Sequence, residues 1–163
     1  MDTLEIIQSK ILAGKSTERM LSFWRFKNYR IVFTNGCFDI LHRGHVDYLA
    51  RASGLGEVLV VGLNTDRSVR AIKGPPRPLQ DEKSRALILA SLSFVRAVIL
   101  FDKETPLELI AQVRPDILVK GGDYKPEEIV GCDIVTAAGG SVIILDLVEG
   151  YSTSEIIKKI PGR

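Results

Sequence analysis

Short β-branched, apolar runs alternate along the chain with segments of helical periodicity, and this alternation limits the folds open to it. The runs are IVFTN (31–35), EVLVVGLN (57–64), AVILF (97–101), DILVK (116–120) and SVIILD (141–146). They are apolar on both faces, which is typical of strands in a parallel sheet covered on either side. Helices joining parallel strands make right-handed crossovers. The pattern therefore predicts an α/β, Rossmann-like doubly wound sheet of about five parallel strands with helices on both faces.

The chain length of 163 residues suits one compact domain. We expect a single domain over residues 1–163, in which residues 1–30 form an N-terminal helical extension that covers a sheet edge. After the first run, Val46, Leu49, Ala50 and Ser53 share one helical face.

Charge and composition exclude several classes of partner. The formal net charge is +2, and no basic stripe interleaved with aromatic residues indicates nucleic-acid binding. No apolar run reaches membrane-spanning length, and the N-terminal stretch lacks the apolar centre of a secretory signal. Cys37 and Cys132 form neither a disulfide framework nor a metal-ligand pattern. We therefore expect no nucleic acid and no membrane as partner, and a cytoplasmic location.

The stretch TNGCFDILHRGH (34–45) places two histidines between the first strand and a helix. In open α/β sheets, ligands bind beyond the carboxyl ends of the strands. Gly36 and Gly44 allow close backbone approach, and the first amides of a helix attract anions. His42 and His45 are therefore predicted to donate hydrogen bonds to phosphate; the alternative is that both merely cap the helix at the surface.

Two other ligand classes fit this turn less well. The chain has only two histidines, and no carboxylate pattern accompanies them that would complete a zinc site. No G-x-G-x-x-G follows the first strand, so a dinucleotide fingerprint is missing.

The segment IKGPPRPLQ (72–80) interrupts the alternation with three prolines and two cations. One interpretation is a stiff connector. The other is a lid that presents Lys73 and Arg77 to a phosphate. The sequence favours neither.

Arg85 lies at the start of a predicted helix, on a stripe with Ile88, Leu89 and Leu92 that should face the core. A buried arginine is costly unless an anion meets it. That anion is either a carboxylate of the chain or a bound phosphate.

The motif TNGCFDILHRGH resembles the T-x-G-x-F-D-x-x-H-x-G-H signature of the cytidylyltransferase-like nucleotidyltransferase superfamily. The resemblance implies a nucleoside triphosphate lying across the turn, where His42 and His45 stabilise charge on the α-phosphate and the leaving pyrophosphate. It further implies a set of nucleotide-binding residues, namely Thr34, Asn35, Gly36, Phe38, Asp39 and Gly44. Arg85 matches a phosphate-binding arginine of glycerol-phosphate cytidylyltransferases, so it joins the two histidines in the expected catalytic set. Lys73, the lid cation of the proline-rich segment, completes that set.

The segment EGYSTSEIIKKI (149–160) resembles the second signature of the family, a serine- and threonine-rich turn that opens the last helix. Ser152, Thr153 and Ser154 are expected to contact the nucleotide. Locally, Ser152 and Glu155 also form a capping box, which would explain the pattern by itself. Two positions depart from the family pattern: Ile157 and Leu147 stand where relatives carry cations, and Lys158 is a weak substitute.

The segment VKGGDYKPEEIVG (119–131), together with VGLNTDRSVRAIKGPPRP (61–78), resembles the heptose 1-phosphate adenylyltransferases. The resemblance runs from about residue 31 to 160 and implies synthesis of ADP-heptose for bacterial surface polysaccharide such as lipopolysaccharide. Lys120, Gly121, Gly122, Asp123 and Tyr124 would bind the sugar phosphate, although a glycine turn with an exposed aspartate would explain the same residues.

The expected reaction joins ATP and a heptose 1-phosphate, with Mg²⁺ entering alongside ATP and no metal ligand supplied by the protein. The resemblance implies a stand-alone enzyme with a separate sugar kinase upstream, and it leaves a homodimer open. Two alternatives are kept: a glycerol-3-phosphate cytidylyltransferase, and a nucleotide-binding module without catalysis.

Overall fold

The computed structural model describes residues 2–122 and 124–159. Its centre is a six-stranded sheet in which every pair of neighbouring strands is parallel, which confirms the predicted α/β class. The strands are β1 (Ile11–Leu12), β2 (Ile31–Gly36), β3 (Val58–Asn64), β4 (Ala97–Phe101), β5 (Ile117–Gly121) and β6 (Ser141–Leu145). The five predicted strands are present, and one further strand joins them.

Helices surround the sheet. They are α1 (Thr3–Gln8), α2 (Lys15–Phe26), α3 (Arg43–Ser53), α4 (Asp66–Lys73), α5 (Glu82–Ser91), α6 (Leu107–Val113), α7 (Cys132–Ala137) and α8 (Thr153–Lys158), with a 3₁₀ turn at Pro126–Glu128. Within the described part of the chain, no helix is both long enough and apolar enough to cross a membrane.

The extra strand, β1, lies in the N-terminal segment that was expected to be helical only. Ile11 and Leu12 pair with Val98 and Ile99, so β1 extends the sheet beyond β4. Two residues are too few to show the periodicity of a strand, which explains why the sequence did not reveal it. The expected covering of a sheet edge is therefore achieved partly by strand pairing.

Alternate residues of the central strands enter two cores, one on each face of the sheet. Phe33 and Val60 belong to one apolar cluster, whereas Val32 and Val61 belong to the other. All seven residues of β3 are buried. This burial on both faces explains why the predicted strands are apolar throughout rather than alternating.

The order of strands across the sheet is β1-β4-β3-β2-β5-β6. The chain proceeds from β2 through β3 to β4 on one side, then returns to place β5 on the other side of β2. Strand order therefore reverses between β2 and β5, and a crevice opens there at the carboxyl ends of the strands. The histidine turn follows β2 directly and so lies at this crevice.

Candidate active site

Three adjoining cavities occupy the crevice at the carboxyl ends of the strands. The turn cavity, about 180 Å³, is lined by Gly36, His45, Lys73 and Lys120 among others. The serine cavity, about 250 Å³, lies between the start of α3 and the residues 151–154 that open α8. The outer cavity, about 480 Å³, extends from Asn35 toward the loops after β4 and β5. Lys73 lines all three cavities, so they adjoin one another at this residue.

The two histidines form a stacked pair at the start of α3. Their ring centroids lie 3.8 Å apart with 22° between the planes, and the ring of Phe38 meets His45 edge-on at 5.1 Å. His42 is the N-cap residue of α3, and its Nδ1 accepts a hydrogen bond from the backbone N–H of His45 at 3.4 Å. In the neutral ring this bond leaves the proton on Nε2, as a donor.

Both rings are held in the neutral form near pH 7. Burial lowers the pKa of His42 below its usual value. Burial is also the main reason that the pKa of His45 falls to about 4, and repulsion between the two rings when both are charged is the second reason. Nδ1 of His45 is buried without a hydrogen-bond partner among the described residues. The pair therefore offers neutral N–H donors rather than permanent positive charge.

Gly44 brings the two signature segments together. A Cβ atom at this position would lie 3.2 Å from the Cβ of Tyr151 and 3.1 Å from Cε1 of His42. Arg43 Nη1 donates a hydrogen bond of 3.0 Å to the hydroxyl of Tyr151. The absence of a side chain at Gly44 thus lets the turn before α8 pack against the start of α3.

The turn before α8 contributes hydroxyl groups to the serine cavity. Ser152, Thr153 and Ser154 line it, and Ser152 caps α8 by accepting a hydrogen bond from Glu155 N at 3.1 Å. Lys158 instead forms an exposed ion pair with Glu155 and lines none of the three cavities.

Two lysines supply the positive charge of the site. Lys73, the last residue of α4, is exposed, and its charge is felt at both His45 and Cys37. Lys120 is partly buried at the end of β5, where its Nζ donates a 3.0 Å hydrogen bond to Asn35 Oδ1. Burial lowers the pKa of Lys120, so an arriving phosphate would restore a favourable environment for its charge.

Asp39 anchors the proline-rich loop to the histidine turn. Its buried carboxylate accepts hydrogen bonds from Arg77 Nε at 2.6 Å, from Leu79 N at 2.7 Å and from Gln80 N at 3.1 Å. Arg77 is therefore turned toward the protein, not presented to a ligand. Of the two cations in this loop, Lys73 alone lines the cavities.

Arg85 differs from its expected role as a phosphate ligand. It is 1% exposed, and its guanidinium donates to Asp66 Oδ1 at 2.8 Å, to the Cys37 carbonyl at 2.6 Å and to the Gln80 carbonyl at 3.0 Å. The carboxylate of Asp66 is thus the anion that was expected to meet the buried arginine. Arg85 holds the histidine turn and the proline-rich loop together from below.

Thr34 is likewise separated from the open crevice, although it was expected to bind the nucleotide. It is fully buried, and its hydroxyl lies 2.6 Å from that of Tyr48, which donates to the Val119 carbonyl at 3.1 Å. Burial raises the pKa of Tyr48 to about 12, so its hydroxyl remains protonated. These two residues connect β2, α3 and β5 beneath the site.

The glycine pair after β5 shapes the crevice wall. A Cβ atom on Gly121 would lie 2.6 Å from Leu147 Cδ2, so the glycine makes room for Leu147 over the strand end. Gly122 has φ +111°, which a residue with a side chain rarely adopts. Tyr124 lines the outer cavity, whereas the predicted sugar-binding Asp123 lies outside the described residues.

Several residues of the site were not selected from the sequence. They are Cys37, Tyr48, Asn64, Glu104, Thr105, Glu128, Leu147, Val148 and Tyr151. Burial raises the pKa of Cys37, so its thiol stays protonated at neutral pH. Tyr48 could have been found, since it follows His45 by three residues and so shares its helical face.

The described residues contain no group of three or more His, Cys, Asp or Glu side chains that could hold a metal ion. The polar groups that line the site include imidazoles, hydroxyls and two lysines. Such groups recognise phosphate oxygens.

Known proteins are similar to this chain in sequence and in fold. The family model described as cytidylyltransferase-like matches residues 33–159. The bifunctional protein HldE of Syntrophotalea carbinolica is 55% identical over 95% of this chain and 32% of its own length, and HldE of Paramagnetospirillum magneticum is 47% identical over 99% and 33%. The chain thus spans about a third of the length of these relatives.

A crystal structure of a lipopolysaccharide core biosynthesis protein from Thermoplasma volcanium has the same fold. It superposes with a TM-score of 0.61 and 30% identity, covering 76% of this chain and 99% of that protein. The family match begins within β2 and ends just after α8, so it includes both histidines and the serine-rich turn. The chain belongs to the cytidylyltransferase-like family.

Proposed function

We propose that the protein is a sugar-phosphate adenylyltransferase, which joins ATP and a heptose 1-phosphate to give ADP-heptose and pyrophosphate. The observation that carries the proposal is the stacked pair of neutral histidines at the start of α3, directly beside Lys73 and the hydroxyls of residues 152–154. Identity of 47–55% to bifunctional HldE proteins supports this branch of the family.

In the proposed reaction, a phosphate oxygen of the sugar 1-phosphate attacks the α-phosphorus of ATP in line. The new oxygen–phosphorus bond forms as the bond between the α-phosphorus and the oxygen bridging to the β-phosphate breaks, and pyrophosphate leaves. The nucleophile is already an anion, so no general base is needed. The protein contributes positioning and stabilisation of negative charge.

Each group of the site has a part in this chemistry. His42 and His45 donate hydrogen bonds to the α-phosphate and to the leaving pyrophosphate, and the first amides of α3 face the same anion. Ser152, Thr153 and Ser154 hold the triphosphate in the serine cavity. Lys73 contacts phosphate oxygens where the cavities meet. Mg²⁺ bound to the triphosphate would neutralise part of its charge.

Asn35, Gly36, Phe38 and Asp39 shape the turn that receives the nucleotide. We assign Asp39 and Arg85 a positioning role, because their hydrogen bonds are already made within the protein. Lys120, Gly121, Gly122 and Tyr124 border the space for the sugar phosphate, and Asp123 stays a predicted member of this set.

We expect a cytoplasmic enzyme whose sugar 1-phosphate comes from a sugar kinase, and whose product enters surface polysaccharide. The bifunctional relatives are about three times as long as the aligned segment, which leaves room for a second activity in them.

A substrate panel tests the proposal. ATP or CTP is combined with heptose 1-phosphate or glycerol 3-phosphate in the presence of Mg²⁺, and pyrophosphate release is measured. The pair of ATP and heptose 1-phosphate should give the highest kcat/KM, because a site with many polar groups loses hydrogen bonds around glycerol. A higher kcat/KM for CTP with glycerol 3-phosphate would show that this pair, and not ATP with heptose 1-phosphate, is the substrate pair of the protein. Nucleotide binding without turnover of any pair would indicate a non-catalytic module.

A further inference from the structure

We infer that Asn64 determines specificity for the sugar: its side-chain oxygen accepts a hydrogen bond from one hydroxyl of the sugar phosphate in the outer cavity. The inference rests on the proposed function and assigns one contact within it.

Asn64 lies at the end of β3, on the floor of the outer cavity. It is 3% exposed and lines the cavity together with Glu104, Thr105 and Tyr124. Lys73 and Lys120 line the same cavity, so a phosphate would be attracted to their side of it and the sugar would extend toward the remaining lining. A polar side chain this buried, on a rigid central strand, is well placed to read one group of a ligand.

A relay through Ser68 fixes which end of the Asn64 amide faces the cavity. Ser68 Oγ donates its proton to the Lys103 carbonyl at 2.8 Å. A hydroxyl has one proton, so Ser68 Oγ can only accept from Asn64, and Asn64 Nδ2 lies 2.8 Å from it. The NH₂ group must therefore point to Ser68, which turns Oδ1 the other way.

Among the residues that the structure describes, the oxygen of Asn64 has one weak hydrogen-bond partner. This partner is the thiol of Cys37, at a distance of 4.0 Å. A thiol is a weak donor, and an amide oxygen has two lone pairs, so Oδ1 keeps capacity for a stronger donor. A sugar hydroxyl is such a donor. A ligand that lacks this hydroxyl would leave the buried oxygen poorly satisfied, and the site would discriminate against it.

The test compares heptose 1-phosphate with a series of its monodeoxy analogues, each lacking one hydroxyl, at saturating ATP. The wild-type protein should lose roughly tenfold or more in kcat/KM on one analogue of the series. Asn64→Leu should lose a similar factor on the full substrate and should no longer distinguish it from that analogue. Its KM for ATP should stay unchanged.

Ser68→Ala is the matched variant, because it removes the relay and leaves Asn64 in place. Without Ser68 Oγ, the Asn64 amide can rotate. The kcat/KM ratio between the full substrate and the same analogue should therefore fall, whereas the ratios for the other analogues should not change. Melting temperatures without ligand show whether both variants fold, and the Ser68→Ala comparison decides the question if Asn64→Leu does not fold.

If Asn64→Leu or Ser68→Ala lowers kcat/KM by the same factor for the full substrate and for every analogue, these residues have a structural role and the inference is overturned. The inference is also overturned if the wild-type protein turns over heptose 1-phosphate and both variants still discriminate against the deoxy analogue as strongly as the wild type does. Absence of wild-type turnover with any heptose 1-phosphate would overturn the proposed function, and the inference with it. The first two results leave the proposed function intact.

Discussion

His42 and His45 stack with ring centroids 3.8 Å apart, and the side chain of the first accepts a hydrogen bond from the backbone of the second. Two rings at this distance cannot both become imidazolium cations without strong repulsion. The structure thus combines two N–H donors in one place without adding two charges. This arrangement suits a site that must bind a phosphate and then release a negatively charged product.

Replacement of His45 by alanine should lower turnover by roughly a hundredfold or more, the usual effect of losing one donor that stabilises transition-state charge. The ligand-free melting temperature should change by only a few degrees, because the ring buries little apolar area. Steady-state pyrophosphate release and thermal unfolding measure the two effects. Lys83→Ala, at an exposed position in the first turn of α5, is the control and should retain wild-type turnover. Loss of folding with normal turnover per folded molecule would make His45 structural.

The pH dependence of unfolding should report the buried imidazole. The pKa of His45 is about 4 in the folded protein, against about 6.5 unfolded. Between these values the unfolded chain binds the additional proton, so this residue's contribution to the free energy of unfolding falls as the pH decreases from 6.5 toward 4. Denaturant unfolding at pH 7.5 and pH 5 should show a smaller loss for His45→Gln than for the wild type. Equal losses would indicate that His45 titrates normally.

The sequence predicted much of the sheet because apolar runs mark buried parallel strands directly. The face it predicted for α3 was right only in part: Leu49 is buried, whereas Ala50 is exposed, and the buried side also includes Tyr48 and Ala52. Small residues fit either face of a helix, so hydropathy gave a poor guide there. The hydrogen bonds of Tyr48 could not be foreseen, because its partners Thr34 and Val119 lie on β2 and β5, far from it in the chain.

Long-range pairings of charge were also hidden from the sequence. The expected need of Arg85 for an anion was correct, but its carboxylate comes from Asp66, nineteen residues earlier in the chain. Likewise, Arg77 was expected as a candidate phosphate ligand, but its guanidinium is held by Asp39, thirty-eight residues earlier in the chain. Motif spacing identifies the residue types that a site uses, whereas the fold decides which of them are already occupied.

Arg85→Ala should destabilise the protein by about 3 kcal/mol, since it leaves the Asp66 carboxylate and two partly buried carbonyl groups without their donor. Arg85→Lys should recover only part of this, because one ammonium cannot reproduce the three directions of the guanidinium. Denaturant unfolding without ligand provides the measurement. Unchanged stability together with lost affinity for ATP or sugar phosphate would show that the guanidinium binds the ligand directly.

Gly121→Ala should reduce kcat/KM, because the new methyl group would displace Leu147, whose Cδ2 lies 2.6 Å from the added Cβ position. Leu147 lines both the turn and serine cavities, so its displacement narrows the phosphate site. Leu147→Ala in the same chain should restore most of the loss by removing the colliding atoms. A double-mutant cycle on kcat/KM measures this rescue. Additive effects of the two substitutions would contradict it.

The most direct test of nucleotidyl transfer follows the phosphorus atoms of ATP. Two reactions with heptose 1-phosphate and Mg²⁺ are run in parallel, one with ATP labelled at the α-phosphate and one with ATP labelled at the γ-phosphate. The products are separated into nucleotide sugar, pyrophosphate and sugar phosphate. Attack at the α-phosphorus predicts that the α-label enters the nucleotide sugar and the γ-label leaves in pyrophosphate, and that His45→Ala slows both equally. Transfer of the γ-label to the sugar, or release of label without any nucleotide sugar, would contradict the proposed reaction.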